Sequence, residues 1–250
     1  MTRAEKISSW LKERAAAAGA EGFVFGLSGG IDSAVVARLC QMATPGHVLG
    51  VLLPCYSQAQ DEQDAILVAE AFKIPTAKVD LSKTFDTLGA ALDEALKEQH
   101  PKTAVKVVDI KQRLPRANIK PRLRMTSLYY VANALNYMVA GTGNRSEITL
   151  GYYTKYGDGG VDVLPIGALL KSEVRALARE IGVPEPVITK PPTAGLWPGQ
   201  TDEAEMGFSY ETLEKYLNGK DVPAGVAERI EKLRAVSDHK RALPPIAPID

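Results

Sequence analysis

Short apolar runs that alternate with helix-patterned stretches constrain this chain more than any other feature. Residues 22–27, 47–54 (HVLGVLLP) and 76–82 (TAKVDLS) read as strands, and residues 34–42 and 61–72 between them read as helices. An amphipathic helix over residues 1–19 precedes them, with Ile7, Trp10 and Leu11 at near-helical spacing and Gly19 as its stop. Strands that each feed a helix return in the same direction, so the crossovers are right-handed and the sheet is parallel. The expected fold is α/β, a doubly wound parallel sheet with helices on both faces, with ligands at the carboxyl ends of the strands. A length of 250 residues suits one large domain.

The first strand runs straight into a glycine turn, FGLSGGIDSAVVARL, over residues 25–39. Gly29 and Gly30 permit positive φ and close backbone approach, and the amides that follow open a helix whose first N–H groups lack partners. Such a turn holds an anion. Asp32 stands in the same turn, and a carboxylate beside bound phosphate is repelled unless a divalent cation lies between them. The pattern points to a metal–nucleotide complex, with Mg²⁺ and ATP as the pair. No Gly-Lys-Ser/Thr follows, which separates the turn from a Walker A loop. The plain alternative is that Asp32 or Ser33 merely caps the helix.

Composition narrows the class. Thirty basic residues balance thirty acidic ones, so overall charge makes no case for a nucleic acid or a membrane surface as partner. Cys40 and Cys55 form no CxxC and no metal-type cluster, and no secretory leader precedes them, which fits a reducing cytoplasm. Apolar runs such as 48–53 fall far short of the roughly twenty residues of a membrane helix.

Farther along, residues 87–99 are helical in pattern, and 113–125, rich in Arg, Lys, Asn and Pro, read as a loop leading into a helix over 123–135. The strand-to-loop pattern restarts at Tyr137, and TKYGDGGVDVLP forms a second glycine-dense loop before a helix over 169–181. Residues 183–207 carry too many breakers for regular structure and are long for a passive connection, so a mobile lid is expected there. Helices over 211–216 and 224–236 close the pattern.

SGGIDS, residues 28–33, resembles the pyrophosphate loop of the ATP pyrophosphatases, which cleave ATP between its α- and β-phosphates. Five further stretches are similar to NAD synthetase, in that family's order: NIKPRLRM (118–125), GTGNRSE (141–147), YTKYGDGGVDVLPIGALLKSEVR (153–175), KPPTAGLWPGQTDEAEMG (190–207) and HKR (239–241). The resemblance implies an adenine nucleotide alpha hydrolase-like fold. It implies amidation of deamido-NAD by ammonia, with ATP as co-substrate and Mg²⁺ as cofactor, giving NAD, AMP and pyrophosphate, the last step of NAD biosynthesis. The pyrophosphate loop begins too near the amino terminus for the amidase domain of glutamine-dependent members, so one domain over 1–250 using free ammonia is expected. A cytoplasmic homodimer with active sites at its interface is implied as well.

Carried onto this chain, the resemblance assigns Gly26, Ser28, Gly29, Gly30, Asp32, Ser33, Thr142, Lys171 and Thr193 to ATP, and Asp32 and Glu147 to the metal. Lys171 supplies the cation that the glycine turn lacks. Arg122, Lys155, Asp162, His239 and Lys240 fall to deamido-NAD; Arg suits a pyrophosphate by its planar fork and Lys as a point charge. Asp32 and Lys171 are the expected catalytic residues, joined by Asp158 as an acceptor for the ammonium proton. Pro121 stands where many relatives have alanine, and stiffens the approach to Arg122. Two other readings stay open: a different ATP pyrophosphatase that thiolates or amidates RNA or a purine, and a non-catalytic nucleotide-binding module.

Overall fold

The computed structural model describes residues 1–99, 110–191 and 201–249. Helix α1 (Arg3–Ala18) is closed at its start by a capping box between Thr2 and Glu5, and at its end by Gly19 in the left-handed region. It leads into β1 (Gly22–Gly26), α2 (Ile31–Ala43), β2 (Val48–Leu52), α3 (Ala59–Phe72) and β3 (Thr76–Lys78). Then follow α4 (Ser82–Gln99), α5 (Ile110–Ala117), α6 (Ile119–Leu135), β4 (Tyr137–Val139) and α7 (Arg145–Leu150). Helices α8 (Lys171–Glu180), α9 (Glu185–Thr189), α10 (Asp202–Met206), α11 (Tyr210–Leu217) and α12 (Ala224–Val236) complete the order.

The four strands are parallel, in the order β3-β2-β1-β4. Alternation along β1 divides the core. Phe23 and Phe25, both fully buried, pack with residues of α1, α2, α3, α8 and α9. Val24, between them, packs on the other face with Phe85 of α4 and with Leu128 and Ala132 of α6. Each such aromatic side chain contributes roughly 1.5–3 kcal/mol by leaving water. The sheet is therefore covered on both sides, as expected of a doubly wound fold. A smaller cluster of Leu150, Met206, Phe208, Tyr210, Leu213 and Ile230 joins α7 to α10, α11 and α12.

The chain builds β1, β2 and β3 outward in one direction, then crosses back to add β4 on the free side of β1. The switch point therefore lies between β1 and β4, where the turns leaving two adjacent strands splay apart and open a crevice. Those turns are residues 27–30 and the stretch Gly141 to Asn144 before α7.

Two stretches depart from the sequence reading. Residues 113–125 are helical except at Asn118, the turn between α5 and α6: Pro115 lies within α5, Pro121 falls in the first turn of α6, where its missing N–H has no intrahelical use, and α6 packs on β1 and β4. Residues 183–207 contain α9 and α10; Pro184 caps α9 and Pro186 sits in its first turn, so these prolines start a helix rather than break one. Thr193, and with it much of the expected lid, lies outside the described residues.

Candidate active site

Helix α2 begins three residues before the expected position, with Gly30 as an extended N-cap that has no side chain to offer. Ser33 Oγ donates to the Gly30 carbonyl at 2.9 Å and lies 3.0 Å from Ser28 Oγ, which folds the turn onto itself. Gly29 has φ +77°, and a Cβ there would meet the Asp61 carbonyl oxygen at 2.2 Å and Asp64 Cβ at 2.9 Å. Glycine is required on both counts.

Asp32 does not cap its helix. Its Oδ1 accepts from Asn144 Nδ2 at 3.2 Å, and its Oδ2 accepts from Lys171 Nζ. Asn144 is fully buried and caps α7 through a capping box: its Oδ1 accepts from the Glu147 amide at 3.1 Å, while Glu147 Oε2 accepts from the Asn144 amide at 3.1 Å. Glu147 Oε1 stands 4.0 Å from Lys171 Nζ. Lys171, the first residue of α8 and only 2% exposed, thus places its ammonium between two carboxylates from two different strand ends.

The charges in this cluster are tightly interdependent. Burial, with the Asp32 charge behind it, pushes the Glu147 carboxyl up to about 8. Burial disfavours the Lys171 ammonium too, but Asp32 and Glu147 outweigh it and hold the lysine above its ordinary value. Asp202 borders the same cluster. Its Oδ2 accepts from Tyr210 Oη at 2.9 Å and its Oδ1 from Tyr152 Oη at 3.4 Å, and burial raises its pKa.

A second group of side chains lines the same cavity. Arg122 Nη2 donates to the Lys155 carbonyl at 3.3 Å, and Lys155 Nζ donates to the His239 carbonyl. Lys240 Nζ donates to the carbonyls of Gly151 and Tyr153, both at 2.6 Å. Asp158 Oδ1 accepts from the Thr154 amide at 2.8 Å, and burial raises its carboxyl above the usual range, against Lys240 and Arg124 nearby. The cavity that joins both groups measures about 1210 Å³, room for more than one nucleotide-sized ligand.

Gly26, Ser28, Gly30, Asp32, Ser33, Thr142, Glu147 and Lys171 line this cavity, as do Arg122, Lys155, Asp158, His239 and Lys240. Gly29 instead packs against the start of α3. Asp162 is not brought into the wall: its oxygens accept from Tyr129 Oη at 2.8 Å and from the Val139 amide at 2.7 Å, at the end of β4. Sequence reasoning passed over Asn144, Asp202, Tyr152 and Arg124. Only Asn144 carried a local signal, the N-x-x-E spacing of a capping box within GTGNRSE.

Asp32 and Glu147 suit Mg²⁺ by their chemistry, since that ion commonly takes one or two carboxylates and fills its remaining positions with water and phosphate oxygens. Their convergence on one ammonium places both oxygens around a single cationic position. Among the described residues no group of three or more His, Cys, Asp or Glu is placed to hold a metal ion.

A parallel four-stranded sheet flanked by helices, with an acid–lysine cluster at its switch point, is an α/β fold of the adenine nucleotide alpha hydrolase-like type. Comparison with known proteins makes this specific: the NAD synthase family model matches residues 3–244, and the chain belongs to that family. The NH(3)-dependent NAD(+) synthetase of Carboxydothermus hydrogenoformans is 46% identical over 244 residues, covering 98% of this chain and 96% of the relative. The structure of NMN synthetase from Francisella tularensis superimposes with a TM-score of 0.88 at 37% identity, over 99% of this chain and 98% of that one. The NH3-dependent NAD synthetase of Campylobacter jejuni, solved in complex with nitrate, gives a TM-score of 0.76 at 27% identity, covering 98% of both chains.

Proposed function

We propose that this protein is an ammonia-dependent NAD(+) synthetase, a ligase that amidates deamido-NAD at the expense of ATP, yielding NAD, AMP and pyrophosphate. The observation that carries the reading is the meeting of Asp32, Glu147 and Lys171 at the switch point of the sheet. Ser28, Gly29, Gly30 and Ser33, with Thr142 across the crevice, cradle the triphosphate, and Lys171 offers its ammonium to it. Thr193 completes the ATP contacts. Asp32 and Glu147 would hold Mg²⁺, which would supply positive charge to offset that of the triphosphate oxygens.

Arg122, Lys155, His239 and Lys240, which line the cavity, bind deamido-NAD. Orientation by these groups presents the nicotinate carboxylate to the α-phosphorus; an oxygen–phosphorus bond forms, pyrophosphate leaves, and an acyl-adenylate results. Ammonia then attacks the acyl carbon and AMP leaves with the bonding electrons. Ammonia is mostly present as ammonium near neutral pH, and the Asp158 carboxylate, made more basic by burial, accepts its proton to leave free ammonia. We place the reaction in the cytoplasm and in a homodimer whose interface borders the site. No described helix is long and apolar enough to cross a membrane.

Incubating the protein with ATP, Mg²⁺ and ammonium, with and without deamido-NAD, tests the reading. AMP and NAD in equal amounts, formed only with the dinucleotide, support it; AMP formed only with an RNA or purine acceptor refutes it. The likeness to an NMN synthetase favours a second reading, in which the mononucleotide acid is the acceptor and NMN the product. A parallel assay with that mononucleotide separates the two. Sedimentation velocity checks the dimer, which a fully active monomer would refute.

A further inference from the structure

Lys190 belongs to none of the groups described so far, yet it borders the cavity beside the glycine turn. It follows α9 directly and reaches across to the first turns of α3, where its Nζ lies 2.8 Å from Asp61 Oδ1 and 2.6 Å from Asp64 Oδ2. The side chain is 22% exposed, and that of Asp64 only 7%. Two carboxylates thus share one ammonium in a partly desolvated place, where charges interact more strongly than at the surface.

The helical turn that carries these carboxylates sits against the proposed phosphate turn. A Cβ on Gly29 would overlap the Asp61 carbonyl oxygen and crowd Asp64 Cβ, so the turn and the acidic end of α3 touch without an intervening layer. Glu62, on the same helical turn, is matched by Lys78 at 2.5 Å. Acids at a helix start favour the helix through its dipole, but beside a bound triphosphate they oppose the ligand. Lys190 supplies the compensating charge. Burial resists both charges, yet the lysine is held above its ordinary pKa, and its hydrogen bond with that from Gln60 holds Asp64 below the usual carboxylate range.

We propose that Lys190 is a positioning residue for ATP that acts through Asp61 and Asp64, screening their charge from the triphosphate held by the neighbouring glycine turn. The inference rests on the reading of that turn as the ATP site. Without Lys190, the counter-charge left to Asp61 is the more distant Arg124 and Asp64 keeps the Gln60 amide, so their charge beside the turn is less screened and ATP binds more weakly, whereas binding of the acceptor is unaffected. The effect is electrostatic, so it diminishes with added salt.

Binding of ATP in excess Mg²⁺, measured by calorimetry at low and high salt, tests this alongside steady-state kinetics. Lys190→Met is expected to weaken ATP binding and raise KM for ATP about tenfold, with kcat and KM for deamido-NAD within twofold, and the defect narrows in high salt. Lys190→Arg restores most of the affinity. Asp61→Asn/Asp64→Asn binds ATP at least as well as the parent, and adding Lys190→Met to that pair leaves affinity within threefold of it.

Unchanged ATP binding in Lys190→Met overturns the proposal. A triple variant as weak as Lys190→Met also overturns it, because the lysine then touches the nucleotide itself. If Lys190→Met does not fold, the double and triple variants decide: parent-like binding in both supports the screening role, and loss in the triple alone refutes it. A parent protein that binds no ATP refutes the ATP reading, and this inference with it.

Discussion

Asn144 Nδ2 donates to Asp32 Oδ1 at 3.2 Å, tying the turn after β4 to the turn after β1 across 112 residues of chain. The same side chain caps α7 and so fixes Glu147. One buried amide therefore sets the spacing of both carboxylates that are proposed to hold the metal.

Replacing it separates those duties. Asn144→Ala is expected to lower stability by about 1–2 kcal/mol, from the lost cap and an unsatisfied Asp32 oxygen, and to reduce kcat more than tenfold. Asn144→Asp keeps the cap but sets a third acid against Asp32, so its stability recovers while its activity does not. Denaturant melts and the AMP-release assay give the two numbers.

Lys171 stands between Asp32 and Glu147 with almost no exposure. Lys171→Met leaves both acids without their cation and is expected to cost about 3 kcal/mol of stability. Turnover falls by about a thousandfold or more, because the ammonium proposed to face the triphosphate is gone. Retention of a tenth of the activity would remove Lys171 from the mechanism.

Gly29→Ala meets both a positive φ and the Asp61 carbonyl oxygen. A cost of about 2–4 kcal/mol is expected, together with loss of ATP binding, since relief of the overlap moves either the turn or α3. Gly19→Ala, also at positive φ but in open space, is expected to lose stability without losing ATP affinity.

Asp158 titrates above its ordinary value because it is buried. In the folded state it therefore binds a proton that the unfolded chain has already released, and the folded state loses stability as pH rises from about 3.8 through the raised value. Asp158→Asn keeps an oxygen for the Thr154 amide and removes that titration. Its urea midpoint should fall less than the parent's across this window, and its rate should depend more steeply on ammonium concentration and pH. A variant with the parent's ammonia dependence would exclude Asp158 as the proton acceptor.

The sheet and most of its helices were legible in the sequence because their signals are local: an apolar run, a stop such as Gly19, a turn such as Ser28 to Ser33. The helical start of α6 was hidden by Pro121 and by the charged residues around it, and its packing on β1 and β4 outweighs that local bias. Helix α7 was missed because six residues show too little periodicity; only its capping box marks it. Within the site, residues of the motif stretches were nameable, and Asp32, Glu147 and Lys171 do come together. The partners Asn144, Asp202 and Tyr152 were not, since their roles depend on contacts made across the fold. Asp162 shows the converse: its motif position is clear, but its oxygens serve Tyr129 and β4.

The pairing of β1 with β4 rests on three facing positions, Gly22 with Tyr137, Phe23 with Met138 and Val24 with Val139. A slip of one residue would carry everything downstream of β4 by about 3.3 Å, beyond the reach of a hydrogen bond, and turn Val139 out of its layer. This short seam is thus the ruler of the catalytic centre. Wear along it registers as lost chemistry before it registers as lost shape.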